Sequence, residues 1–267
     1  MAAYRAPPHR VAHVLVLVPP SEGKTAPVRG RPLDLGSLSM PSLTATRQTV
    51  LEALVSACVS DPVSAAQALG LGPTQTDAVA YNAGLLSAPT ARADRIFSGV
   101  LYAAADLARL DAPARRRASR TVAIASALFG LVRPNDRIPA YRLSGDASLP
   151  GLGPVAAVWR RPLATIVPDL VGDGLLVDMR SQTYVNLYRP AAAVAARTAT
   201  LRVLHDSAGT RRVVSHLNKA TKGRIVHELF AAGVTARTAI ELAVALRDLG
   251  WTVELDGGRL DVVVGAL

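Results

Sequence analysis

Ser21-Glu22-Gly23-Lys24-Thr25 sets a lysine amine between two hydroxyls, on a loop that begins where an apolar run ends. Gly23 lets the backbone approach an anion closely, and Lys24 supplies a mobile point charge. Such an amine can bind a phosphate. It can also act as a general base or nucleophile where burial or neighbouring cations disfavour its ammonium form. The segment is not a Walker A loop: G-x-x-x-x-G-K-[ST] needs glycine at position 18, which is Val18. Pro27, Gly30 and Pro32 also prevent the helix that a phosphate loop must open. The plain alternative is a turn whose charges are merely solvated.

Three later segments carry similar potential. Ala127 to Leu143 follows an apolar run, and its turn residues Gly130 and Pro134 project Arg133, Asp136, Arg137 and Arg142, with Tyr141 among them. Asp136 pairing with an arginine would give a fixed guanidinium fork for an anion, or simply an ion pair that clamps the loop. Asp178 to Tyr184 offers Ser181 and Tyr184, with Asp178 or Ser181 as the cap of a short helix. Lys219, Lys222 and Gly223 fall at i, i+3 and i+4 with Arg224 beside them, a helical face that admits a phosphodiester backbone or is only solvated.

Other chemistries find little support. The histidines, His9, His13, His205, His216 and His227, form no H-E-x-x-H or facial-triad spacing, and no serine sits in a G-x-S-x-G elbow. No metal and no cofactor is expected. Cys58 is the one cysteine, which excludes an internal disulfide and points to a reducing compartment. No apolar run reaches the roughly 20 residues that span a bilayer, and the N-terminus lacks the pattern of a signal peptide, so a cytoplasmic location is expected. Net charge is +10, from 27 arginines and three lysines against 20 acidic residues. That balance favours phosphate-bearing partners, although an arginine-rich proteome would also produce it. The three lysines, Lys24, Lys219 and Lys222, all lie in the segments above.

These groups must be positioned by alternating elements. Val14 to Val18 reads as a buried strand, followed by a long loop from Ala26 to Pro41. Helical patterns cover Leu43 to Val59, Pro62 to Leu69, Thr76 to Ala83 and Thr90 to Leu110, with a short basic helix around Arg115 to Arg117. Strands are expected at Thr121 to Ala125 and Leu175 to Asp178, with a helix bearing Trp159 between them. A hairpin follows around Ala208-Gly209, then helices at Lys219 to Phe230 and Thr235 to Leu249, the latter capped by Thr235. Trp251 to Leu255 and Leu260 to Val264 form a closing hairpin. The expected architecture is a mixed α/β (α+β) domain over residues 13–267, after an N-terminal tail of residues 1–12.

At the four segments the chain resembles the YaaA peroxide-stress protein family. Pro-Pro-Ser21-Glu-Gly23-Lys24-Thr25 matches the family's strand-end motif. Leu128-Phe129-Gly130-Leu131-Val132-Arg133-Pro134, with Asp136 and Tyr141-Arg142-Leu143, is similar to its central block. Ser181 and Tyr184 match its Ser-x-x-Tyr element, and Lys219, Lys222, Gly223 and Arg224 its late basic block. The resemblance covers about residues 13 to 230. It implies a compact fold of unusual topology with a mixed central sheet flanked by helices, a basic cleft, and a helix-hairpin-helix element, for which Phe129-Gly130-Leu131 is the nearest candidate. It also implies binding of double-stranded DNA and a role in limiting iron-driven oxidative damage.

Two competing functions remain open beside it. One is an enzyme acting on a small anionic or nucleotide-like substrate, with Lys24 and Tyr184 as catalytic groups aided by Arg133 and Ser181; the other is a structural protein that binds a partner. The oligomeric state is open. All four blocks lie at strand ends or helix starts, so they are expected to converge on one cleft.

Overall fold

A computed structural model describes residues 14–265, except 73, 74, 76, 208 and 209. The N-terminal tail with His9 and His13, the expected helix start at Thr76 and the turn at Ala208-Gly209 therefore lie outside the described residues.

The first strand, β1 (Leu15–Val18), is buried along its whole length, as an apolar run without alternation requires when both faces of a sheet are covered. It pairs in parallel with β3 (Val122–Ser126) on one side and β8 (Leu176–Asp178) on the other. Between β1 and β3 come α1 (Thr44–Ser60), α2 (Pro62–Ala68), α3 (Asp77–Ala83), β2 (Ala91–Arg92), α4 (Ala93–Ile96), α5 (Val100–Ala105) and α6 (Ala112–Thr121). Next are β4 (Gly130–Val132), β5 (Arg137–Ile138), β6 (Ser148–Leu149), β7 (Gly153–Pro154) and α7 (Val155–Val171). After β8 follow α8 (Gln182–Val185), α9 (Ala192–Ala195), β9 (Thr198–Ser207), β10 (Thr210–Arg212), α10 (Ser215–Ala231), α11 (Ala239–Asp248), β11 (Thr252–Asp256) and β12 (Arg259–Gly265).

The main sheet runs β11-β12-β9-β8-β1-β3-β4, with β10 on β9. Strands β12, β9, β8, β1 and β3 are mutually parallel, while β11, β4 and β10 are antiparallel. This is the mixed sheet expected. The chain leaves β1 for β3 on one side and later returns to β8 on the other. The strand order thus reverses at β1, and in open α/β sheets that reversal opens a crevice at the carboxyl ends of the strands.

Two expectations fail, the first for a tertiary reason. The helix from Thr90 to Leu110 is split into β2, α4 and α5, because Phe97 forms a β-bridge with Lys24 instead of continuing a helical turn. Gly99 then packs so closely on the first loop that a Cβ there would lie 2.7 Å from the Ser21 Cβ, and Asp106, at φ 30°, ends α5. The last helix is capped by Thr238, whose hydroxyl accepts from Glu241 N, and not by Thr235.

Candidate functional site

Beyond β1, Pro19 and Pro20 stop the strand, and the chain turns back along the segment before α5. Thr25 N donates to Ile96 O at 2.8 Å, and Ser21 Oγ donates to Gly23 O at 2.5 Å. The fold-back points the Lys24 amine inward. Nζ donates to Ser21 O at 2.8 Å and lies 4.4 Å from the Tyr141 ring centroid and 5.5 Å from that of Phe97. Burial pulls the Lys24 pKa down to about 7; the nearby Arg142 guanidinium lowers it further and Glu22 opposes them. A lysine that is half neutral near pH 7 has a lone pair to use.

Tyrosines wall this niche. Tyr141 Oη is 2.7 Å from Ser126 Oγ at the end of β3, and Ser126 Oγ also accepts from Phe129 N at 3.0 Å. Tyr102, on α5, donates to Pro19 O at 2.7 Å and stacks on Phe97 with centroids 5.3 Å apart. Tyr184 is close enough to Tyr141, Tyr102, Glu22 and Arg142 to couple with them electrostatically. Burial raises the pKa of Tyr102, Tyr141 and Tyr184, so all three phenols keep their protons at neutral pH. The Arg142 guanidinium lies 4.0 Å from the Glu22 carboxylate. Its backbone is held by the fully buried Asn82, which donates to Arg142 O at 2.7 Å and accepts from Arg142 N at 2.9 Å.

The third side is the end of β8. Met179 N donates to Leu17 O at 2.8 Å, joining that end to β1. Asp178 accepts two bonds from the Arg180 guanidinium, at 2.9 and 2.7 Å, and Arg180 Nη1 donates to Tyr184 O at 3.1 Å, so this ion pair supports α8. From α10, the Lys222 amine reaches Met179 O at 3.0 Å. Burial lowers its pKa to about 8, partly offset by Asp178.

The structure therefore brings Ser21, Gly23, Lys24, Tyr141, Arg142, Tyr184 and Lys222 to the carboxyl ends of β1, β3 and β8. Thr25 lies exposed just beyond, and Ser181 is the N-cap residue of α8 with no side-chain cap bond. Sequence reasoning missed Phe97, Tyr102, Ser126 and Asn82. These are single aromatic or polar residues in apolar runs, and only the packing reveals their orientation.

The remaining expectations need correction. Arg133 donates Nη1 to Val122 O at 3.0 Å, and Val122 is level with Val16, four residues below Ser126. At about 3.3 Å per residue that is about 13 Å from the end of β3 and about 7 Å from the end of β1. Asp136 makes no fork with Arg133. Its carboxylate accepts from Arg133 N at 2.8 Å and from Ser39 N and Oγ at 3.0 and 2.8 Å, which clamps the loop. The buried arginine beneath is Arg47, which donates to Phe129 O, Leu131 O and Ser39 O, and whose pKa burial lowers to about 10. Arg137 donates to Thr90 O at 2.6 Å.

The open phosphate-contacting face also fails. Gly223 is where α10 meets α5, and a Cβ there would lie 2.8 Å from the Ala104 Cβ and collide with Leu101 O. With Lys222 buried, only Lys219 and Arg224 of that block are exposed. Phe129-Gly130-Leu131 lies at the β3–β4 hairpin, with Gly130 at φ 71° against the Trp159 ring, so it is no helix-hairpin-helix.

The model of the family described as peroxide stress protein YaaA matches residues 14–254. The chain belongs to the YaaA family. A UPF0246 protein of Streptomyces coelicolor is 53% identical over 94% of this chain and 98% of its own length. Another, of Corynebacterium efficiens, is 42% identical over 94% of this chain and 98% of its own length. A third, of Corynebacterium glutamicum, is 38% identical over 90% and 95%. The YaaA match spans all three strand ends of the niche and α10 as well. Among the described residues no group of three or more His, Cys, Asp or Glu could hold a metal ion, and no helix is long and apolar enough to cross a membrane.

Proposed function

We propose that this YaaA-family chain serves peroxide defence through chemistry at Lys24 on a small anionic or nucleotide-like substrate. The observation that supports this reading is the Lys24 amine, 4.4 Å from the Tyr141 ring at a strand-order reversal. Arg142 would hold the substrate's anionic group, the neutral Lys24 amine would take a proton or attack an electrophilic carbon, and the protonated Tyr184 phenol would donate to the developing charge. Lys222 and Tyr102 tie α10 and α5 to the strand ends and so fix the shape of the niche.

A second reading is the binding of duplex DNA through a basic cleft, which would shield DNA from iron-driven damage. It is favoured by Arg115, Arg116 and Arg120, exposed on α6, and by Lys219 and Arg224, exposed on α10, which packs against α6. Contacts of this kind fall on phosphates, so binding would be weakly sequence-dependent. With four to six phosphates neutralised, the log–log salt slope would be about −4 to −5.

Peroxide survival of a host strain lacking its own family member separates the two readings. Under the first, Lys24→Met and Lys24→Arg abolish protection, while Lys219→Ala with Arg224→Ala preserves it. The opposite pattern, together with a salt slope reduced by about 2 in the Lys219/Arg224 variant, would replace the first reading with the second.

A further inference from the structure

Away from Lys24, the long loop after β1 and the start of β5 border an open concavity of about 530 Å³ lined by Arg29, Gly30, Arg31 and Arg137. We propose that this concavity binds the di- or triphosphate group of a small molecule. It shares no lining residue with the Lys24 niche, so the inference stands independently of the function proposed above.

Three arginines on one concavity form an arrangement that like charge alone would disperse. Among the described residues none of the three is paired with a carboxylate. No acid among the described residues lines the concavity; Asp94 is paired with Arg92 at 3.0 and 2.6 Å, and Asp34 accepts from Gly36 N in its own turn at 2.9 Å. One buried residue, Thr90, 2% exposed, ties the Arg31 backbone to the Arg137 guanidinium. Its N and Oγ1 both donate to Arg31 O, at 3.0 and 2.8 Å, and its carbonyl accepts from Arg137 Nη2 at 2.6 Å. Gly30 packs against the same residue so tightly that a Cβ there would collide with Thr90 O. The loop backbone is thus fixed at Gly30 and Arg31, and the Arg137 guanidinium is anchored beside it, while the Arg29 and Arg31 side chains stay exposed and free to meet a ligand.

The volume lies within the usual range for small-ligand sites, about 300–1,000 Å³. Guanidinium forks match phosphate oxygens bidentately, and linked phosphates place several charges within reach of three arginines. Duplex DNA is a poorer match, since it presents its phosphates on a convex surface, about one per 3.4 Å of axis on each strand.

The test is calorimetric titration of the full chain with inorganic pyrophosphate and triphosphate near physiological salt. One site per chain is expected, with triphosphate bound more tightly. Arg29→Gln and Arg31→Gln should each weaken both anions about tenfold, and Lys24→Met should change neither. Neither the Arg29 nor the Arg31 side chain makes a hydrogen bond among the described residues, so these variants keep the fold, which a melting curve verifies. Absence of binding at millimolar anion would overturn the proposal. So would affinity unaffected by Arg29→Gln and Arg31→Gln, or affinity lost in Lys24→Met. Arginine-dependent binding of short duplex DNA without binding of triphosphate would also overturn it.

Discussion

Replacing Lys24 by methionine should stabilise the protein at neutral pH and remove part of its pH dependence above neutrality. The amine titrates at about 10.5 in the unfolded chain and about 7 in the folded one. Between those values the unfolded chain holds one more proton, so stability rises with pH by about 1.4 kcal/mol per unit. The penalty is fully present below pH 7 and relieved by about pH 10.5, a ceiling of about 5 kcal/mol. Solvent reaches part of this loop, so about 2–3 kcal/mol is the better expectation. Methionine keeps the stem packed against Tyr141 and Phe97 but leaves Ser21 O without its donor, a cost of about 1 kcal/mol that does not vary with pH. Lys222 contributes with the same sign above about pH 8 in both proteins and cancels in their difference. Urea unfolding of wild type and variant from pH 6 to 10 gives that difference. A difference that stays flat across this range would show that the Lys24 amine is ordinarily solvated, and the chemistry proposed for it would fall.

Arg133→Lys should lower stability by about 1 kcal/mol through the bond to Val122 O while leaving amine labelling of Lys24 unchanged; altered labelling would return Arg133 to the niche. Gly223→Ala should cost about 1–3 kcal/mol, because the new methyl meets the α5 backbone, and an unchanged melting temperature would refute that packing. Asp178→Asn leaves the buried Arg180 without its counter-charge and should cost about 3–5 kcal/mol by denaturant titration. Because Asp178 raises the Lys222 pKa, the same variant should label faster at Lys222 near pH 8, and slower labelling would contradict the placement of these two groups.

Much of this molecule was legible in its sequence. The unbroken apolar run at Leu15–Val18 demanded a strand covered on both faces, and the following Pro-Pro-Ser21-Glu-Gly23-Lys24 demanded a loop at its end. The resemblance to the YaaA family rested on the same local blocks. Even nearby in the chain the partner differs from the one expected: the Lys24 amine, expected between two hydroxyls, meets the Ser21 carbonyl, while the Ser21 hydroxyl turns to Gly23 O. The roles of Arg133, Asp136, Lys222 and Gly223 depended on partners far away in the chain: Val122, Ser39, Met179 and Leu101. A charged residue in a sequence looks available for a ligand until the fold shows which carbonyl or carboxylate it must satisfy. The split of Thr90–Leu110 has the same origin, since helical spacing there yields to a β-bridge formed with a loop more than seventy residues earlier. Local pattern determined the elements and the loop that carries Lys24. Burial and long-range hydrogen bonding, which exist only once the sheet is assembled, decided which cations stay free to act.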